Sequence, residues 1–263
     1  MAHEIAATFE RLKREGKKAF IPYITAGDPD LETTVELVPE LERSGSTIIE
    51  LGIPFSDPLA DGPTIQRASE RALSRGYRLA DYLAAVKHVR SRSAVPIVLF
   101  SYFNPVMQYG MENLARNARA AGVNGVLITD MTPEEAAGYR ACMESEGIDA
   151  IFLVAPTSSP ARIRKIVECA RGFVYIVSRT GVTGAHDRLS ESVMPTVQRV
   201  REATDLPIAV GFGISRPEHV QTVWSIADGA VVGSAIVGEI EKHAGSPGLV
   251  AHVGEFCRWL TQT

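Results

Sequence analysis

The chain has 263 residues, 45% hydrophobic and 22% charged, enough to bury a sizeable core without disulfides or a structural metal. A formal charge of −4 supplies no basic field for a phosphate backbone, so nucleic acid is not an expected partner. Cys142, Cys169 and Cys257 are widely spaced and fit a reducing cytoplasm better than a disulfide or zinc framework, residues 1–16 lack the apolar core of a signal peptide, and no apolar run is long enough for a membrane.

A helical pattern at 2–14 precedes the first of eight short, β-branched apolar runs, at 19–24, 47–51, 96–100, 125–129, 150–154, 173–177, 207–210 and 230–232. Their near-continuous hydrophobicity predicts strands covered on both faces, as in a parallel sheet. Helical patterns fill the gaps. Thr132-Pro133-Glu134-Glu135 and Ser215-Arg216-Pro217-Glu218 match capping boxes, and Ser159-Pro160 offers a cap followed by a proline at the first helical position. A final helix is expected at 249–261. Eight strand–helix units in a chain of this length predict one (β/α)8 TIM barrel domain over 1–263, with the extra N-terminal helix placed to plug its floor.

Barrel chemistry gathers at the carboxyl ends of the strands. The second strand places Glu50 inside a strongly apolar segment, where burial would raise its pKa toward neutrality and suit it to proton transfer; a salt-bridged structural glutamate fits the strand equally well. The loop at 53–63, IPFSDPLADGP, carries Asp57 and Asp61, each of which could simply bond its own backbone in a turn. Asp28 and Asp130 also follow strands and read as cap or turn residues. Glycine-bearing segments after the last three strands, at 181–184, 211–213 and 233–235, put small residues and free amides in the quadrant where barrels hold phosphate. The polar segment 178–194 reads as a lid, with His186 facing solvent. No lysine or histidine lies in the strand runs, and the six histidines share no ligand spacing, which leaves Schiff-base and metal-dependent routes without support.

Residues 50–66, ELGIPFSDPLADGPTIQ, closely resemble the signature of the tryptophan synthase alpha chain family, with supporting matches in chain order at 22–29, 102–105, 178–184, 211–215 and 232–237. The resemblance spans nearly the whole chain and departs from the family pattern at Ser46, Thr47 and Ser101. It implies retro-aldol cleavage of indole-3-glycerol phosphate to indole and glyceraldehyde 3-phosphate. By it, Glu50 is the acid/base and Asp61 receives the indole N–H. Thr183 would hold that aspartate when the lid closes. Tyr175 would lie near the glycerol chain, Tyr23 in the pocket wall, and Gly184, Gly213, Gly233 and Ser234 at the phosphate. It further implies an alpha2-beta2 tetramer with a beta chain that carries pyridoxal phosphate and receives indole through a tunnel, this chain itself binding no cofactor or metal. The loop 54–58 and the Asn104-Pro105 turn are the implied contacts with that partner.

Overall fold

The computed structural model describes residues 3–177, 187–211 and 213–262, with the backbone alone for 187–192. Among them, eight strands close into a parallel barrel in sequence order: β1 (Ala19–Thr25), β2 (Ile49–Gly52), β3 (Ile97–Ser101), β4 (Gly125–Ile128), β5 (Asp149–Val154), β6 (Val174–Val177), β7 (Ile208–Gly211) and β8 (Gly229–Val232). β1 pairs with β8 as well as with β2, which leaves no sheet edge. The expected runs match these strands to within two residues. The largest difference is at the second, where Thr47 stands before the strand and uses its hydroxyl to accept from the Phe20 N–H at 3.2 Å.

The helices are α1 (Glu4–Arg14), α2 (Leu31–Arg43), α3 (Pro63–Leu73), α4 (Leu79–Val89), α5 (Phe103–Tyr109), α6 (Met111–Ala121), α7 (Ala137–Ser145), α8 (Pro160–Cys169), α9 (Asp187–Arg201), α10 (Pro217–Ile226), α11 (Ser234–His243) and α12 (Leu249–Leu260). Their apolar faces pack on the outward side of the strands, forming the larger of the core clusters. At α8 the expected cap is present: the Ser159 side chain accepts from the Arg162 N–H, and Pro160 opens the helix. The two capping boxes behave differently. Thr132 bonds Glu135 side chain to side chain within a turn, and α7 starts only at Ala137. Arg216, not Ser215, precedes α10, with no side-chain cap bond. Of the lid expected at 178–194, residues 178–186 lie outside the described residues, and 187–194 is already helix. Buried Val193, Val197 and Val200 give α9 the apolar stripe that the polar look of this segment conceals.

Helix α1 closes the floor. Ile5, Phe9 and Leu12, spaced at one helical face, join the inward residues Ala19, Ile21, Val98, Leu127, Ile151 and Phe173 in a second apolar cluster. The Phe9 and Phe173 rings meet at 5.8 Å between centroids. Polar bonds fix the start of the helix: His3 Nδ1 lies 2.6 Å from Asp149 Oδ1, and Asn124 donates to Glu4 Oε2 at 2.6 Å. Acidic Glu4 in the first turn and Arg11, Lys13 and Arg14 in the last suit the helix dipole. Phe9→Ala is expected to lower the unfolding free energy by about 3–5 kcal/mol in denaturant titration; a loss below about 1 kcal/mol would show that α1 is no part of the core.

Candidate active site

Alternation along β2 turns Glu50 into the barrel, beside Tyr23 of β1 and Val98 of β3 in the hydrogen-bonded register. The side chain is 0% exposed. Neither carboxyl oxygen has a hydrogen-bond partner among the described residues. Burial without compensation disfavours the charged form, and the Glu50 carboxyl is pushed up to about 8. Among the described residues, the structural ion pair that the strand alone allowed is not found.

Two phenols flank this group, and each reaches its place because a glycine stands opposite. A Cβ at Gly52 would lie 2.0 Å from the Tyr23 hydroxyl, and one at Gly211 would lie 2.2 Å from the Tyr175 hydroxyl. No side chain other than hydrogen leaves room for either ring. The Tyr23 ring also meets Phe100 edge to face, 5.3 Å between centroids. Burial holds both phenols well above their ordinary range, so they stay protonated donors.

Asp61 comes from the loop between β2 and α3. Its backbone is pinned on both sides: the N–H donates to Pro58 O at 3.1 Å, and the carbonyl accepts from Gln66 Nε2 at 2.9 Å. Rather than bonding its own backbone, the Asp61 carboxylate lies beside Tyr102, the residue after β3, whose hydroxyl accepts from the Ala60 N–H at 3.0 Å. Burial raises Asp61 to about 6, and the nearby Tyr102 hydroxyl limits that rise. Sequence reasoning missed this role of Tyr102; an aromatic hydroxyl at a strand end beside an acidic loop was the available signal. Asp57 stays exposed with Ser56 as its donor.

The last two strands supply the anion corner. Gly233 precedes α11 and Ser234 opens it, and no side chain caps this helix. Its first amides are free for an acceptor, which is how helix N-termini hold phosphate. Gly213 stands nearby on the loop after β7. One cavity of about 970 Å³ is lined by Tyr23, Glu50, Asp61, Tyr175, Gly213, Gly233 and Ser234, with Phe100, Leu153 and Val177 among its apolar wall. Thr183, Gly184 and His186 lie outside the described residues. Asp130 caps a helix other than the next one, accepting from the Phe103 N–H of α5 at 2.7 Å. Asp28 is a turn residue rather than a cap: its N–H donates to Thr25 O at 3.2 Å, Asp30 caps α2, and the Asp28 carboxylate is buried against Arg71. Among the described residues no group of three or more His, Cys, Asp or Glu is placed to hold a metal ion.

The family model described as tryptophan synthase alpha chain matches residues 9–261. The chain belongs to the tryptophan synthase alpha chain family. An alpha chain from Solibacter usitatus is 52% identical over 256 residues, 97% of this chain and 96% of its own length. The alpha chain of Geobacter sulfurreducens is 54% identical over 90% of each. Among solved structures, the alpha chain from Legionella pneumophila superposes with a TM-score of 0.91 at 38% identity, covering 100% of this chain and 97% of that one. The tryptophan synthase complex from Pyrococcus furiosus gives 0.84 at 36% identity, over 92% and 97%. Against this family background, the carboxyl of Glu50, raised from an ordinary 4.5 to about 8, carries a stability signature. A group that binds its proton more tightly when folded favours the fold at low pH, and that contribution is lost as pH rises from the unfolded value to the folded one. Glu50→Gln is therefore expected to be more stable than wild type above pH 5. The gain should grow by up to about 1.4 kcal/mol per pH unit and level off above pH 8. A stability difference independent of pH in thermal melts would show that Glu50 is not held neutral.

Proposed function

We propose that this chain cleaves indole-3-glycerol phosphate to indole and glyceraldehyde 3-phosphate, a carbon–carbon lyase step of tryptophan biosynthesis, with Glu50 as acid/base and Asp61 as the partner of the indole N–H. The observation that carries this reading is the splitting of two carboxyls in one cavity, Glu50 near 8 and Asp61 near 6. At pH 7 this order keeps Glu50 mostly protonated and Asp61 mostly ionised. Divergent environments of this kind mark an acid and an anion with separate tasks.

The chemistry follows from those charges. Glu50 protonates the indole carbon that bears the glycerol chain, which leaves the ring nitrogen positively charged. Asp61 faces that nitrogen, and its attraction grows as the charge develops, so it stabilises the transition state more than the bound substrate. The Glu50 carboxylate then takes the proton of the adjacent glycerol hydroxyl. The carbon–carbon bond breaks, its electron pair quenches the ring cation, an aldehyde forms, and Glu50 ends with the proton it started with. Tyr23 and Phe100 give the ring an apolar wall, Tyr175 stands toward the glycerol chain, and Gly213, Gly233 and Ser234 take the phosphate. Thr183 and Gly184 join them by family resemblance.

The chain requires no cofactor of its own in this reading; pyridoxal phosphate belongs to a beta chain with which it forms an alpha2-beta2 tetramer and to which it passes indole. Leu59, 94% exposed, and Met107, 54% exposed, support a contact there. Leu59 lines a smaller hollow together with Phe55, Asp57, Tyr102 and Asn104. We place the protein in the cytoplasm, a reading supported by three unpaired cysteines and by the lack of any helix among the described residues long and apolar enough to cross a membrane. We treat 1–263 as one domain because β1 closes on β8 and α12 packs on α2.

Purified protein given indole-3-glycerol phosphate should release indole, and Glu50→Gln should lower the rate by about 10²–10⁴-fold. No release by the wild type, alone or with a beta chain, would leave a silent regulatory subunit as the reading. The pH profile of kcat/KM should be bell-shaped, falling below about 6 as Asp61 gains its proton and above about 8 as Glu50 loses its own. Tyr102→Phe removes the hydroxyl that holds the Asp61 carboxyl down, so the acid limb should move to higher pH while the alkaline limb stays. An unmoved acid limb would detach Asp61 from it.

A further inference from the structure

On the flank where α3 meets α11, outside the cavity, four charged side chains form one connected network. Arg71 of α3 donates through Nε and Nη2 to the two oxygens of Asp28, each at 2.8 Å, and through Nη1 to Glu241 Oε1 at 2.7 Å. Arg67, one turn earlier, sets a second fork on Glu241, with Nε to Oε1 at 2.8 Å and Nη2 to Oε2 at 2.7 Å. Asp28 is 1% exposed, while Arg71 and Glu241 are mostly covered at 28% and 30%. Isolated surface ion pairs contribute little. This network is bidentate at both carboxylates and partly withdrawn from water, the geometry in which guanidinium pairs hold direction as well as charge.

Each member belongs to an element that delivers one part of the site. Asp28 follows β1, which carries Tyr23. Arg67 and Arg71 lie on α3, whose first turn grips Asp61 through Gln66. Glu241 lies on α11, seven residues beyond Ser234, or about 10 Å along the helix from the phosphate corner. The three elements pack on one another. We propose that Arg71, assisted by Arg67, is a positioning residue that fixes the separation between Asp61 and the amino end of α11, so that a phosphorylated indole is held at both ends at once. This rests on the substrate class proposed above. A ligand fastened at two points gains from the second only if the two anchors stand apart by its own length, and a rigid strut between them supplies that match.

The test compares linked and unlinked ligands by calorimetry: indole alone, glycerol 3-phosphate alone, and indole-3-propanol phosphate, which joins the two. Arg71→Lys keeps the charge and loses the fork. It should bind both fragments within about twofold of wild type yet weaken for the linked ligand by about tenfold or more, with kcat/KM for cleavage falling alongside. Glu241→Gln should show the same pattern in milder form, and because it leaves the buried Asp28–Arg71 pair intact it reports even if Arg71→Lys folds poorly. Equal weakening for all three ligands would mark a merely structural network, and unchanged linked binding in both variants would equally overturn the proposal. If the linked ligand binds wild type no better than its fragments do, the substrate reading itself fails, and the strut with it.

Discussion

A carboxyl group that has lost its water and found no partner is far more costly to keep ionised than neutral, and the upper half of this barrel is arranged around one. Glu50 enters an interior whose walls are branched aliphatics and aromatics and whose floor is stopped by α1. Among the described residues nothing within reach repays ionisation by a hydrogen bond. Its proton is thus a property of the surrounding fold: the closed sheet, the plug below and the phenols beside it all serve to keep the dielectric low. Asp61, only a loop away in sequence, stands in a half-wet position beside the Tyr102 hydroxyl, and it ionises more readily. A difference in solvation between neighbouring carboxyls gives two chemical characters to what composition alone would count as two acids.

The phenols show how closely side-chain reach and backbone are matched. Tyr23 and Tyr175 extend across the barrel to neighbouring strands, and both hydroxyls occupy space next to a glycine Cα. A strand glycine in isolation reads as a weak spot. Here Gly52 and Gly211 instead set how far two rings can swing, and so the width of the chamber that proposed chemistry requires.

The architecture was legible because parallel strands covered on both faces are apolar along their whole length, a signal that needs no tertiary knowledge. Glu50 was legible for a related reason, since one charge in such a run stands out. What escaped detection depended on distant pairings. The Asp61–Gly62 step looks like a turn until Tyr102, forty-one positions later, takes the neighbouring Ala60 N–H and sets its hydroxyl beside the Asp61 carboxylate. Asp28 looks like a helix cap until Arg71 reaches it from α3. The Thr132 box failed although its local pattern was correct, because its side-chain bond closed a turn ahead of the helix rather than the helix itself. Residues 187–194 looked like loop because their polar face dominates composition, while the stripe that makes them helix is spread over the next turns.

The stopper formed by α1 also governs traffic. With Phe9 and Ile5 filling the amino end of the barrel, the described residues close the chamber at that end and leave its traffic to the carboxyl end. A small apolar product released inside such a chamber takes whichever direction the carboxyl end leaves open. Whatever sits against exposed Leu59, next to Ala60 of the chamber wall, therefore bears on whether the product escapes into water or is handed on.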